Sequence, residues 1–286
     1  MFSFISLMYH NIISNGVSYP ELSPSVTSYF INQLTFAAQL SELCRLTQCI
    51  DLSILRAYYY PLPDNQLCHS QQSCPRVLIT FDDGWLGAVD VAGPILEHYS
   101  CSALLFVTTD LVGNPHFVSQ RMLQHLPKHV YHVGSHAKTH RMLNLMNEPD
   151  IHDELQSSKS FLEDTLGYEV DTLSIPGGEV DERIQNIAAR LGYRFLFTSE
   201  ILINTTHINP MQLGRIAVRA TTTIRHFRRY LQHNVQREQR RRQIIRMAKH
   251  LLGPKFYEQL RCQLLGQERH QYDMIDLSKI TSSSKI

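Results

Sequence analysis

Two adjacent aspartates, Asp82 and Asp83, follow the apolar and β-branched segment 77–81 in the stretch VLITFDDGW. Such a segment is typical of a buried strand, so both carboxylates lie at the same end of that strand. Carboxylates this close raise each other's pKa unless a cation or hydrogen bonds offset their charges. A bound metal ion would do so, although an aspartate pair after a strand can also be an ordinary helix N-cap.

Two histidines, His136 and His140, lie four residues apart in the stretch GSHAKTHRML. On a helical turn, residues at this spacing lie on one face and can bind one ion. A carboxylate with two imidazoles leaves coordination positions open for water and substrate. Such a pair is also common on a solvated helix face. Because the aspartates and the histidines follow different predicted strands, together they favour a metal site.

A third segment, LSIPGGEVDERI, places Pro176, Gly177 and Gly178 between a predicted strand and a predicted helix. Glycines let backbone N–H groups approach a ligand closely, which suits a donor to an oxyanion. Without the other two segments, an ordinary strand-to-helix loop would be the better interpretation.

Short apolar segments that alternate with amphipathic stretches must position these groups. Seven segments are predicted strands: 2–9, 76–81, 102–107, 130–133, 170–175, 194–198 and 213–218. Apolar residues at helical spacing predict helices between them, one ending at Gly167 and another capped by Asp181 and ended by Gly192. This alternation predicts a mainly parallel α/β sheet or barrel, with its chemistry where strands end and loops begin.

The 286 residues are 43% hydrophobic, enough for one large domain or two smaller ones. The net charge is only +1, but residues 225–249 hold eight arginines and one lysine against Glu238 alone. Helices are predicted here and to about residue 265, followed by a disordered tail. These basic helices either pack on the barrel with a solvated face or contact anionic lipid or acidic glycan. Nucleic acid is disfavoured because no aromatic stacking pattern accompanies the charge.

Six cysteines lie scattered without a CxxC pair and are expected to be free thiols, with a Cys68–Cys74 disulfide as the less favoured alternative. The first residues lack a basic segment before their short apolar run, and they predict a strand. No apolar run is long enough to span a bilayer. The expectation is a cytoplasmic protein, with peripheral membrane contact left open.

The stretches TFDDG and SHAKTH, and in part SIPGG, resemble the first three motifs of the polysaccharide deacetylases, the NodB-homology domains of carbohydrate esterase family 4. Further features, from MYHNI through GYRFLFTS to GRIAV, extend the resemblance over roughly residues 5–220. The YH start and the PGG variant are most similar to exopolysaccharide-associated members. The resemblance implies a distorted (β/α) barrel of about seven parallel strands over residues 1–220, with residues 221–286 as a basic helical extension.

The resemblance also implies hydrolysis of N-acetyl groups from N-acetylhexosamine units of an oligo- or polysaccharide or its precursor. Asp83, His136 and His140 would bind a divalent metal, usually zinc, with cobalt, nickel or iron also possible. Asp82 would be the general base, and the backbone N–H of Gly177 would help to hold the oxyanion.

Two departures from the family pattern stand out. Ser174 occupies the place where many members have an arginine that orients the base, and Arg215 in GRIAV is the candidate substitute, unless it is a surface arginine on the barrel rim. The family's last motif, with its general-acid histidine, is missing; His10 and His207 are candidates, each equally well a structural histidine. These departures leave two alternatives: a carbohydrate-binding relic of the same fold, and a hydrolase of another amide.

Overall fold

The computed structural model describes residues 2–61 and 74–252 of the chain. Its strands are β1 Ser3–Tyr9, β2 Asn11–Ile13, β3 Phe30–Asn32, β4 Gln48–Ile50, β5 Arg76–Phe81, β6 Ala103–Val107, β7 Tyr131–Ser135, β8 Thr172–Ser174, β9 Phe195–Phe197, β10 Asn204–Thr205 and β11 Ile216–Ala217. Its α-helices are α1 Pro24–Thr27, α2 Gln33–Leu46, α3 Leu52–Tyr59, α4 Gly87–Asp90, α5 Ala92–His98, α6 Gln120–Gln124, α7 Glu148–Leu166, α8 Glu182–Arg190, α9 Ile224–Leu231 and α10 Gln236–Leu252. Single 3-10 turns cover Thr109–Leu111, Leu143–Leu145, Pro176–Gly178 and Pro210–Gln212.

The central sheet curls into a barrel of parallel strands. β1, β5, β6, β7, β8 and β9 are adjacent in that order. The ring closes through one segment: Leu213 bridges to Phe197 of β9, and β11 pairs in parallel with Leu7 and Met8 of β1. The predicted distorted (β/α) barrel of about seven parallel strands is confirmed.

Six of the seven predicted strands contain an observed one, and β5 has the predicted bounds; the predicted strand 130–133 only overlaps β7, which extends to Ser135. Four short strands were not predicted. β4 adds to β5, β10 pairs antiparallel with the start of β1, and β2 and β3 form a separate pair. Segments of two or three residues carry too little periodicity to be distinguished from loop.

Apolar residues pack on both faces of the barrel wall because its strands are covered on both sides. Alternate residues of one strand belong to different clusters, so that Leu196 joins the outer core under the helices and Phe195 and Phe197 join a second cluster. Continuous burial of this kind is typical of parallel sheets. It leaves the strand ends as the places where polar side chains can gather.

The predicted ends of two helices are confirmed. α7 ends at Gly167, whose φ of 72° is the left-handed conformation that glycine adopts readily. α8 begins after Asp181, whose carboxylate accepts the N–H of Ile184 at 3.0 Å.

The basic extension packs against the barrel where it is described. α9 buries Phe227, Tyr230 and Leu231, and Arg228 of its polar face binds Glu42 of α2. The predicted third helix, the tail and Cys68 lie outside the described residues, and the boundary at residue 220 stays a prediction. None of the described helices is both long and apolar enough to cross a membrane.

Candidate active site

The end of β5 brings the two aspartates into a buried position. Asp82 donates its backbone N–H to Tyr9 O at 3.0 Å, which holds it beside the end of β1. Asp83 and Gly84 then take left-handed φ values of 73° and 83°. Aspartate tolerates this conformation better than most residues, and such outliers cluster at functional sites. Asp82 is only 2% exposed and Asp83 only 4%.

The histidine pair follows β7 on a loop, so the prediction of a helical turn is wrong. His136 is buried directly after the strand and donates its backbone N–H to Val107 O at 2.9 Å. Ala137 and His140 both have positive φ, 59° and 64°. Two left-handed residues bend the chain back, so that both imidazoles approach Asp83 without helical geometry.

Glu154 of α7 holds this loop in place. Its Oε2 accepts the backbone N–H groups of Lys138 and Thr139 at 3.0 and 2.9 Å, and its Oε1 accepts the Thr139 hydroxyl. Glu154 is only 4% exposed, and these three donors offset the charge of its buried carboxylate. The loop between the two histidines therefore depends on a residue from a neighbouring helix.

Asp83, His136 and His140 place one ligand atom each within 4.8 Å of one another. Asp83 Oδ1 lies 3.3 Å from Nε2 of each histidine. The other atoms are committed: Asp83 Oδ2 accepts the Trp85 indole N–H at 2.9 Å, and His136 Nδ1 donates to Ser174 O at 2.8 Å. This leaves Nε2 of His136 as the ligand nitrogen.

Asp83 Oδ1 is buried and has no hydrogen-bond donor among the described residues. Burial alone would raise the pKa of Asp83, yet the neighbouring imidazoles of His136 and His140 hold it well below the usual value. Burial would lower the pKa of His136, and the carboxylates of Asp82 and Asp83 raise it instead. An anionic oxygen facing two imidazole nitrogens is the donor set that a divalent cation such as zinc takes, so the residues fit the metal.

The Arg215 guanidinium makes a bidentate contact with the Asp82 carboxylate. Its Nη1 donates to Asp82 Oδ1 at 2.7 Å and its Nη2 to Oδ2 at 2.8 Å. Nη2 also donates to Ser174 Oγ at 2.8 Å, and that hydroxyl donates to Asp82 Oδ2 at 3.3 Å. The remaining N–H groups reach Thr80 Oγ1 and Thr198 O. At 1% exposure Arg215 is not a surface arginine, and its role in catalysis stays a prediction.

These contacts keep Asp82 ionised. Burial alone would raise the pKa of Asp82, but the charges of Arg215 and His136 outweigh it and hold the pKa below the usual aspartate value. The carboxylate can therefore accept a proton at neutral pH, as a general base must.

The Pro176–Gly178 turn lies against the histidine loop. Gly177 has φ 70° and is exposed. The positive φ favours glycine, and a Cβ at this position would lie 2.4 Å from Met142 Sδ, so the end of that flexible side chain would have to shift. An exposed glycine beside the metal ligands is compatible with the predicted oxyanion donor, which stays a prediction.

The two candidate general acids lie at opposite ends of the barrel. His10 directly follows β1, its ring centroid lies 4.4 Å from that of Tyr29, and its buried Nδ1 has no partner among the described residues. Burial lowers the pKa of His10 more than Asp83 and Asp82 raise it, which does not favour an imidazolium. His207 follows β10, which pairs with the first residues of β1, about 20 Å from that strand's end, so this candidate is wrong.

Sequence reasoning missed two residues that hold the candidate metal ligands in place, Trp85 and Glu154. Trp85 is the only tryptophan of the chain and lies two residues after Asp83, a signal that could have been used. Glu154 stands on α7 with no local motif, and only the packing of α7 reveals its contacts.

Comparisons with known proteins agree with this geometry. The family model described as polysaccharide deacetylase matches residues 69–196, which include the aspartates, the histidines and the Pro176–Gly178 turn. The putative polysaccharide deacetylase YxkH of Bacillus subtilis is 27% identical over 124 residues, 43% of this chain and 44% of that protein. The chain thus matches less than half the length of this relative.

A second relative, the poly-beta-1,6-N-acetyl-D-glucosamine N-deacetylase of Staphylococcus aureus, is 24% identical over 237 residues, 76% of this chain and 79% of that protein. The solved structure of the Streptococcus pyogenes deacetylase PplD in complex with acetate is 22% identical with a TM-score of 0.66, covering 79% of this chain and 96% of the other. At this identity the structural likeness establishes the fold. The family model spans the motifs that form the site, so residues 69–196 of this chain match a polysaccharide deacetylase domain.

Proposed function

We propose that this chain is a metal-dependent hydrolase that removes N-acetyl groups from N-acetylhexosamine units of an oligo- or polysaccharide or its precursor. The observation that supports the proposal is that the two adjacent aspartates have different surroundings. Asp83 faces two imidazole nitrogens with an oxygen that accepts no hydrogen bond from the described residues, while Asp82 beside it is held by Arg215. One carboxylate suits a metal ligand and the other a base.

Asp83, His136 and His140 would hold the cation. When bound there, a divalent cation supplies a Lewis acid that polarises the amide carbonyl and lowers the pKa of a water. The resemblance to polysaccharide deacetylases and the donor set support zinc, and cobalt, nickel and iron suit the same ligands.

Asp82 takes the proton of the attacking water at a carboxylate oxygen, and the water oxygen adds to the amide carbon. The Arg215 contact and the Ser174 hydroxyl direct the carboxylate and keep it ionised. The backbone N–H of Gly177 is assigned to the developing oxyanion. The leaving amine needs a proton, which comes from His10 or from the acid form of Asp82.

A polymer of N-acetylglucosamine is the substrate class that we propose. Its support is the N-deacetylase activity of the Staphylococcus aureus relative on poly-beta-1,6-N-acetyl-D-glucosamine; the match to that relative covers 76% of this chain and 79% of the other. The rival is a carbohydrate-binding relic without turnover, and the intact Asp82–Arg215 contact counts against it. A hydrolase of some other amide would keep the same site and differ in the loops around it.

The test is acetate release from chitin-type and β-1,6-linked N-acetylglucosamine oligosaccharides with added zinc or cobalt. The wild type should release acetate, and the double variant His136→Ala, His140→Ala should lose both bound metal and activity. Metal bound stoichiometrically by the double variant would refute the ligand set. Wild-type protein that binds metal and both oligosaccharides without releasing acetate would favour the relic.

We also propose that the basic extension contacts an anionic surface, with anionic lipid favoured over acidic glycan. Arg237, Arg240 and Arg241 line a surface cavity of about 780 Å³ on α10, beside Ile244, which is 66% exposed. The wild type should cosediment with phosphatidylglycerol vesicles and not with phosphatidylcholine vesicles. Replacing the three arginines by glutamine should abolish this cosedimentation.

We further propose that the protein is cytoplasmic, as the sequence led us to expect.

A further inference from the structure

A second group of reactive side chains lies at the opposite end of the barrel from the candidate active site. Cys44 lies near the end of α2, Cys49 on β4, and Cys101 between α5 and β6. Cys49 pairs with Val77 at the start of β5, whereas Asp82 follows the end of that strand, roughly 17 Å away at the usual rise per residue. These thiols are therefore separate from the proposed hydrolysis.

Cys44 and Cys101 are far apart in the chain and adjacent in space. Their Sγ atoms lie 3.7 Å apart across 57 residues of sequence. Both thiols also donate to the same acceptor, Tyr99 O, at 3.7 and 3.6 Å. Because both thiols donate to the same carbonyl oxygen, the two sulfur atoms lie side by side.

The two thiols differ in access to solvent. Cys44 is exposed, and Cys101 is 3% exposed. A small thiol reagent can therefore reach Cys44 first, and any adduct formed there lies next to the protected thiol of Cys101. A disulfide has an S–S length near 2.05 Å, so the sulfurs must approach by about 1.7 Å. A rotamer change of the exposed Cys44 side chain can supply much of this movement.

Cys49 is the competing partner for Cys101, because the thiols of these two residues also interact. Its backbone is held in β4, paired to β5, and its thiol donates to Ser102 O at 3.7 Å. Cys44, at the surface near a helix end, has more freedom to move. The geometry therefore favours Cys44 over Cys49.

We propose that Cys44 and Cys101 form an intramolecular disulfide when a low-molecular-weight disulfide serves as oxidant. The Cys44 thiolate attacks one sulfur of the oxidant, so that a mixed disulfide forms, the oxidant's S–S bond breaks and one small thiol leaves. The Cys101 thiolate then attacks the Cys44 sulfur and releases the second small thiol. The protein thiols lose two electrons in all and give their two protons to the departing thiols, and the oxidant is reduced to two thiols.

The test equilibrates the full chain with mixtures of reduced and oxidised glutathione, alkylates the remaining thiols and maps the peptides by mass spectrometry. Oxidation should remove two thiols per chain and link the peptides of Cys44 and Cys101, and excess reduced glutathione should reverse it. Cys44→Ser should abolish the linked peptide. Cys74→Ser is the matched control, because that thiol donates to Leu46 O and should leave the link unchanged.

Other products would overturn the proposal. They are a peptide that links Cys49 to Cys101, a chain-to-chain dimer through Cys44, glutathione that stays on Cys44 of the wild type, or no loss of thiols in the oxidising mixtures. Cys101→Ala gives an independent check, since Cys44 should then retain glutathione that the wild type releases. Because Cys44 is exposed, Cys44→Ser should fold normally even if Cys101→Ala does not.

Discussion

Asp82 is the residue on which the proposed chemistry depends most directly, and its neighbours explain why it can serve. A buried carboxylate beside a second one would ordinarily gain a proton. Here Arg215 donates to both of its oxygens, and Ser174 accepts from the arginine while donating to the carboxylate. Ser174 and Arg215, which directly precedes β11, together make the contacts with Asp82 that the family resemblance leads one to expect from one arginine.

Asp82→Asn should keep the bound metal and lower turnover by about two to four decades, the usual scale for loss of a general base. The amide is close in shape but cannot accept the proton of the water. Metal analysis and the rate of acetate release check both parts, with Asp83→Asn as the control that should lose metal. Turnover near the wild-type rate would rule out the base assignment.

Arg215→Met should reduce turnover and lower the free energy of unfolding by about 3–5 kcal/mol, because it leaves the Asp82 charge buried without its partner. The double variant Asp82→Asn, Arg215→Met should be destabilised by less than the sum of the two single changes, since it removes the orphaned charge as well. Urea denaturation of the four proteins measures this coupling. Strictly additive effects would mean that the contact contributes nothing specific.

The loop after β7 is the element that places the histidines, and a residue of α7 helps to hold it in place. Left-handed residues at Ala137 and His140 bend the chain, and Glu154 ties the segment between the histidines to the helix. In the proposed metal site, Glu154 would therefore influence metal binding without being a ligand.

Glu154→Gln should weaken metal binding about 10–100-fold, the range for loss of a group that orients ligands, while the fold is kept. An amide can accept only through its oxygen, so at least one of the donors from Lys138 and Thr139 loses its acceptor. Competition with a chelator of known affinity measures the change. Asp164→Asn, at an exposed position of the same helix, should leave the affinity unaltered; an equal loss in both variants would point to a general effect on α7.

For the whole molecule, the barrel and the start of the extension share one core. Phe227 and Leu231 of α9 are fully buried and belong to the same apolar cluster as the outward-facing residues of the strands. Arg228 and Glu42 add an exposed ion pair, which contributes little because solvent screens the two charges. Burial of apolar surface therefore holds α9 in place more than charge does.

Phe227→Ala should lower the free energy of unfolding by about 3–5 kcal/mol, because it opens a cavity between α9 and the barrel. Ile224→Ala, at a position that is 38% exposed on the same helix, is the control and should cost much less. Thermal and urea unfolding measure both. Equal, small effects would show that the extension is stabilised independently of the barrel.

Local sequence alone determined the parts of this protein that depend on neighbouring residues. A buried strand that ends in two aspartates, a histidine pair after another strand and a glycine turn before a helix are each contained in a few residues. The alternation of strands and helices then predicted the barrel, since parallel strands require crossover connections. Those features suffice to gather Asp82, Asp83 and the histidines at one end of the sheet.

Tertiary structure decided what depends on groups distant in the chain. Arg215 reaches Asp82 across 133 residues only because β11 closes the barrel beside β1. In the histidine loop, which is not a helical turn, the acceptor for the Lys138 and Thr139 N–H groups is Glu154, a residue of a neighbouring helix. His207 was excluded by strand pairing alone, since β10 pairs with the start of β1 rather than its end. The spacing within a motif determines only which nearby residues can act together. The partner of a buried charge depends on which segment the fold places beside it.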